Sequence, residues 1–114
     1  MMAITDAKKI PAERWAKWAD TFTNGNRGRL LKIEMVSDEL GAESLADGAA
    51  LVAIDYDPAG KSNSFLISYG DETAPSSHVV AGPVALWQAQ DENGLVVSLE
   101  IEAEDGSRTV VTLN

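Results

Sequence analysis

Residues 84–114, VALWQAQDENGLVVSLEIEAEDGSRTVVTLN, carry the clearest fold signal in the chain. Asn93-Gly94 and Asp105-Gly106 each lie between two runs in which apolar and polar residues alternate. Asn-Gly and Asp-Gly are preferred hairpin turns because these residues adopt left-handed backbone conformations at little cost. We therefore predict a three-stranded antiparallel meander. Its strands are predicted at about 84–91, 95–104 and 107–113.

The middle strand of this meander has one apolar face and one acidic face. The apolar face is formed by Leu95, Val97, Leu99, Ile101 and Ala103. Glu100, Glu102 and Glu104 follow one another on the opposite face, where side chains project about 6–7 Å apart. Calcium needs six or more oxygens that converge on one point, and a straight strand does not provide them. The row is therefore interpreted as a solvated face without a metal, on which Arg108 across the turn pairs with one glutamate.

The segment IPAERWAKWADTF predicts a helix at about residues 11–23. Pro11 suits the first helical position, where its missing N–H costs nothing. An aromatic stripe follows with the spacing i, i+3, i+4 and i+7, which is typical of a helix that docks one face. The stripe consists of Trp15, Trp18, Ala19 and Phe22. Trp15, Trp18 and Phe22 are also our candidate interface residues for a second copy.

The rest of the chain predicts further strands. They are expected at about 29–36, 51–57 and 64–69. The polar stretch 37–49 is interpreted as a connection with a short helical turn, and 70–78 as an exposed loop. The fold class is α+β and mostly β, in a single domain over 1–114. We expect the N-terminal helix to pack on a curved antiparallel sheet, or partly closed barrel, of about six strands.

Composition excludes several classes of function. The net charge is −9, and the charge is uneven: residues 1–36 carry seven basic and four acidic groups, whereas 37–114 carry two basic and fourteen acidic groups. Such an acidic surface repels phosphate backbones, so no nucleic-acid partner is expected. The chain has no cysteine and no apolar run long enough for a membrane span. Its first residues lack the apolar stretch of a secretory signal, and we expect a cytoplasmic protein.

No catalytic constellation can be assembled from sequence. His78 is the only histidine, and Asp71 or Glu72 would have to orient it for general base catalysis. Asp55 and Asp57 alternate on one strand, but Asp57 precedes Pro58 and is assigned to a turn. Phosphate-loop, dinucleotide-binding and nucleophile-elbow motifs are missing. No catalytic residue, cofactor or metal is therefore predicted.

Two stretches of the sequence are IPAERWAKWADTFT…NRGRLLKIEMV, within residues 10–36, and HVVAGPVALWQAQDENGLVVSLEIEAEDGSRTVVTL, residues 78–113. Together they resemble a bacterial family of small proteins known as domain of unknown function 5335. The family shows I-P-x-x-x-W followed by F, then R-G-x-L opening a strand, and finally L-E-I-E with a D-G turn. The matching residues here are Ile10, Pro11, Trp15, Phe22, Arg27, Gly28, Leu30, Leu99, Glu100, Ile101, Glu102, Asp105 and Gly106. His78 and Pro83 are similar to the family's entry to the meander. The match is weakest at 37–77, and the resemblance implies no activity, cofactor or catalytic residue.

The leading hypothesis is a non-enzymatic interaction or ligand-binding module that forms a homodimer, through the helix stripe or through an edge strand. A protein or a small molecule of unknown identity is the further partner. The alternative is a small enzyme or anionic-metabolite binder with a pocket near Arg27, Arg29 and His78, beside Tyr56. A third hypothesis is an acidic surface that binds basic partners and releases them at high salt.

Overall fold

A computed structural model describes residues 4–39, 41–58 and 60–114. In this part of the chain, eight strands and one α-helix follow one another. Their bounds are β1 Ile4–Ile10, a 3-10 turn Ala12–Arg14, α1 Trp15–Asn26, β2 Leu30–Ser37, β3 Gly41–Asp57, β4 Ser64–Tyr69, β5 Ser76–Ala81, β6 Pro83–Asp91, β7 Val96–Ala103 and β8 Arg108–Leu113.

The strands form one antiparallel sheet in the order β1-β6-β7-β8-β2-β3-β4-β5. The 17-residue strand β3 pairs with β2 through residues 41–50 and with β4 through 51–57, so it belongs to both halves of the sheet. The prediction of a mostly β protein with one helix on an antiparallel sheet is confirmed. The number of strands is corrected from about six to eight in the described residues, and the sheet does not close into a barrel.

Two segments that were not predicted as strands, β5 and the first part of β3, carry little of the alternating burial by which a strand is recognised in sequence. β1 and β5 are the two edges of the sheet, and only Val80 of β5 is buried. The segment 41–49, predicted as part of a connection with a short helical turn, lies in strand β3 and has no buried residue. Its regular alternation is also broken by a β-bulge, because Leu31 pairs with Ala49 and Lys32 with Asp47. The extra residue is Gly48, whose φ of 79° favours glycine.

The meander prediction is confirmed by the pairing of β6 with β7 and of β7 with β8. In the first turn, the Asp91 carboxylate accepts hydrogen bonds from the N–H groups of Asn93 and Leu95. The N–H of Gly94 donates to the carbonyl of Asp91, and Gly94 takes the left-handed conformation with φ 82°. The turn is therefore a type I turn followed by a glycine bulge, in which glycine supplies the positive φ.

Helix α1 packs mainly on β3. Where β3 no longer pairs with β2, its main-chain groups form hydrogen bonds with the helix and with the turn that follows it. The N–H of Gly28 donates to the carbonyl of Leu51, and the N–H of Leu51 donates to the carbonyl of Arg29. Farther along β3, the Thr23 hydroxyl accepts from the N–H of Ile54 and donates to its carbonyl at 2.9 and 3.0 Å. Thr23 of the helix and the turn that follows the helix thus supply hydrogen bonds that a neighbouring strand would otherwise provide.

The core lies between α1 and the inner face of the sheet. Its completely buried members are Ile33, Ile54, Phe65, Ile67, Leu86, Ile101 and Val111, each with 0% exposure. An aromatic cluster joins the helix to this core, with ring centroids 5.3 Å apart for Trp15 and Phe65 and 4.9 Å apart for Tyr56 and Phe65. Large aromatic rings supply most of the apolar area that one short helix can bury.

Candidate functional site

Arg29, a predicted ligand-binding residue, forms hydrogen bonds with other residues of the protein. Its Nε donates to the carbonyl of Asn114 at 3.0 Å, and its Nη1 donates to the carbonyl of Val96 and to Oδ1 of Asn26. Burial lowers the pKa of the guanidinium, which the nearby Asp91 carboxylate partly offsets. Three elements are therefore tied together by one side chain, and only Nη2 is buried without a hydrogen-bond partner in the described residues.

Arg27 is exposed, and its Nε donates to the carbonyl of Val52 at 3.2 Å. It lines a depression of about 270 Å³ together with two carboxylates, those of Asp20 and Asp55. These acids compete with an incoming anion for the guanidinium, so the depression has mixed charge.

His78 points inward from β5, and its Nε2 lies 3.1 Å from Oγ1 of the buried Thr109. Burial lowers the pKa of the imidazole. The expected partner Asp71 is instead bonded to the N–H and hydroxyl of Thr73. His78 therefore contacts a hydroxyl rather than a carboxylate, and that hydroxyl is not open to a substrate.

The lowered pKa of His78 predicts a pH dependence of stability. As the pH falls through 6.5, the ordinary pKa of the group, the unfolded chain takes up a proton more readily than the folded one. The wild-type free energy of unfolding should therefore decline from pH 7 towards pH 5 and level off below the folded-state pKa. In His78→Gln this decline should be reduced, as measured by urea unfolding at each pH. An unchanged decline in the variant would assign it to other groups.

Tyr56 belongs to the aromatic cluster, where its ring meets that of Trp15 nearly at a right angle with centroids 5.3 Å apart. Its hydroxyl donates to Oδ1 of Asn63 at 2.8 Å and so holds the turn between β3 and β4. Tyr56 also lines a depression of about 440 Å³, together with Asp55 and Asp57.

These four predicted residues do not converge on one pocket. Arg29 is bonded to Asn114 beyond the end of β8, and His78 to Thr109 near its start. Five residues of strand separate these contacts, which is about 17 Å. Arg27, Tyr56 and His78 line three different depressions. Ligand binding by any one of them remains a prediction, but a shared pocket would require a rearrangement of the sheet.

The predicted interface residues differ in accessibility. Trp15 and Phe22 are each 4% exposed, and the Trp15 indole N–H donates to the carbonyl of Ile10. They offer almost no surface to a second copy. Trp18 is only half-buried; its ring stacks on Phe22, and its N–H donates to Oε1 of Gln88 at 2.8 Å.

The free part of the Trp18 ring borders a groove of about 390 Å³ along α1. The groove is lined by Ile10, Pro11, Arg14, Lys17, Trp18 and Thr21. The helical spacing predicts Trp18 on a docking stripe, but no sequence pattern predicts the groove. The side of the groove that sequence does not predict contains Ile10. This residue ends β1, a strand that the sequence pattern does not reveal.

The glutamate row lies on the outer face of the meander, opposite the buried residues of β7. The predicted partner of the row is confirmed, since Glu100 lies 3.8 Å from the guanidinium of Arg108. Among the described residues, no three or more histidine, cysteine, aspartate or glutamate side chains come together as metal ligands would. No helix in the described ranges has both the length and the apolar character of a membrane span.

Fold and surface together define a small antiparallel β-sheet protein with one packed helix and several separate depressions. The chain belongs to the family of unknown function DUF5335, whose model matches residues 6–114. This confirms the resemblance drawn from the two motif stretches. An uncharacterized protein of Aquifex aeolicus (strain VF5) is 24% identical over 106 residues, which cover 93% of this chain and 90% of the relative. No solved structure matches the chain.

Proposed function

We propose that this protein is a non-enzymatic interaction module that forms a homodimer through the edge of β5. The observation that carries the proposal is the composition of this edge, SSHVVA, which contains no lysine, acid or proline. Natural edge strands are usually protected by such residues, and an edge without them is a template for a further strand. Val79 in its centre has 55% of its surface exposed.

The backbone of β5 has hydrogen-bonding groups available for a second strand. The N–H of Gly82 donates to the carbonyl of Asn63, in line with the pairing of Ala81 with Ser64. Antiparallel strands alternate between residues that bond to their neighbour and residues that point away from it. Counting back from Gly82, the main-chain groups of Ala81, Val79 and Ser77 point away from β4.

A twofold axis at Val79 makes this edge complementary to itself. Val79 then lies opposite its counterpart, and Ser77 lies opposite Ala81 of the second copy. Each hydrogen-bonded pair exchanges two bonds, which gives about six across the axis. No like charges face each other in this arrangement, and the two valine side chains cover one another.

The opposite edge of the sheet supports the choice of β5. Strand β1 carries Lys8 and Lys9, and the Lys9 ammonium lies over the ring of Trp87 at 5.9 Å from its centroid. Lysine on an edge opposes the approach of a second copy, because the two copies would bring like charges together. Charge repulsion therefore opposes the pairing of two copies less at β5 than at β1.

The test is the oligomeric state of wild-type protein and of Val79→Lys, by native mass spectrometry and sedimentation equilibrium. The wild type should have twice the mass of one chain. Lysine on the axis brings two ammonium groups together and should weaken the dimer at least about tenfold, or about 1.4 kcal/mol. Val79→Pro should act similarly, because the N–H that it removes points away from β4.

Val84→Lys is a matched control, since Val84 is 56% exposed and lies outside β5. It introduces the same charge into the same residue type and should leave the dimer intact. A wild-type protein that stays monomeric at high micromolar concentration would refute the proposal. Equal weakening by Val79→Lys and Val84→Lys would exclude the β5 edge as the interface.

A further inference from the structure

The groove along α1 combines an apolar lining with a cationic one. Ile10, Pro11 and Trp18 supply apolar surface, and Arg14 and Lys17 supply positive charge. Trp18 is held in place by its hydrogen bond to Gln88 and its stacking on Phe22. An aromatic ring fixed at a surface and partly uncovered is typical of a binding anchor.

The positively charged side chains of the groove form no salt bridges within the described parts of the chain. Arg14 and Lys17 are both exposed, and neither forms a salt bridge with a described residue. Their acidic neighbours on the helix, Glu13 and Asp20, do not line the groove. The protein as a whole has a net charge of −9, so the groove is a local cationic site on an acidic molecule. It is therefore complementary to a ligand that is both acidic and partly apolar.

The length of the groove suggests the size of this ligand. Arg14, Lys17, Trp18 and Thr21 follow each other on one face of the helical segment at spacings of three and four residues. Seven residues of helix extend about 10 Å, which is the length of about three residues of extended chain. We propose that the groove binds a short acidic segment of a partner protein, with one large apolar side chain against Trp18 and carboxylates beside Arg14 and Lys17.

The probe for this test is a blocked peptide of sequence EDFDE, titrated into nitrogen-15-labelled protein and followed by NMR. The indole N–H signal of Trp18 reports on the groove, and that of Trp87, which does not line the groove, serves as an internal reference. We expect the Trp18 signal to shift with a Kd in the millimolar range, as suits a contact of a few residues. The peptides EDSDE and QNFNQ remove the apolar and the acidic component, and each should bind at least about fivefold more weakly.

Lys17→Glu and Lys61→Glu form a matched pair of variants. Both lysines are exposed, and both changes alter the net charge equally, but only Lys17 lines the groove. Lys17→Glu should weaken EDFDE at least about fivefold, whereas Lys61→Glu should change the Kd by less than about twofold. Equal effects of the two variants would reduce the interaction to general charge attraction and overturn the proposal.

Two further outcomes would also overturn it. One is the absence of a Trp18 shift at saturating concentrations of EDFDE. The other is tighter binding of octanoate than of EDFDE at the same resonances, which would make the groove a site for a free carboxylate amphiphile. Repeating the titration on Val79→Pro separates the groove from the proposed dimer, because the groove contains no residue of β5.

Discussion

Replacement of Phe65 by alanine is expected to lower the free energy of unfolding by about 3–5 kcal/mol, the usual range for loss of a completely buried phenylalanine. The ring has 0% exposure and meets Trp15, Tyr56 and Trp18 at centroid distances of 5.3, 4.9 and 6.3 Å. Its removal leaves a cavity between α1 and β4 that the surrounding rings cannot fill without leaving their preferred geometry. Urea unfolding followed by tryptophan fluorescence measures the loss.

Leu66→Ala is the control for this experiment, because Leu66 is the next residue on β4 and lies on its outer, half-buried side. It should cost about 1 kcal/mol, in proportion to the smaller area that it buries. Similar losses at positions 65 and 66 would contradict the description of the aromatic cluster as the attachment of the helix to the sheet.

Thr23→Val is expected to cost about 2–4 kcal/mol, although it preserves the shape of the side chain. The hydroxyl is buried and exchanges two hydrogen bonds with the main chain of Ile54. Valine would leave a buried N–H and a buried carbonyl of β3 without partners, and each such group costs about 1–3 kcal/mol. Chemical denaturation measures the change, and faster exchange of the Ile54 amide hydrogen should accompany it.

Thr21→Val makes the same chemical change in the same helix at an exposed position. It should shift the free energy of unfolding by no more than about 0.5 kcal/mol. A Thr23→Val protein as stable as Thr21→Val would mean that β3 obtains its hydrogen bonds from another source, and that the helix is held by apolar contacts alone.

The sequence predicts those elements of the fold whose burial is periodic. Trp15, Ala19 and Phe22 recur at helical spacing and are buried, and Leu99 and Ile101 alternate with glutamates and are buried. Strand β5 and the first part of β3 lack this signal, because β5 buries only Val80 and residues 41–50 include no buried side chain. Their pairing is set by main-chain hydrogen bonds, which leave little trace in the choice of side chains.

The candidate sites show the same division between local and long-range information. Trp18 was predicted at a docking surface from its helical neighbours, and its ring does border a groove. The bonds of Arg29 to Val96 and Asn114 join residues 67 and 85 positions apart in the chain. No local sequence pattern predicts such a contact. A surface arginine and an arginine that ties three elements together therefore look alike in sequence.

The position of β2 in the sheet has a consequence for the synthesis of this protein. β2 pairs with β8, so that Leu31 lies opposite Leu113. β1 likewise pairs with β6, which ends at Asp91. A ribosome adds residues one by one, and the early strands emerge long before their partners exist. Strand β1 therefore has no partner strand until residue 91 has been made, and one edge of β2 stays unpaired until residue 113 has been made, although its other edge pairs with β3. A chaperone that shields exposed strands would matter most during that interval.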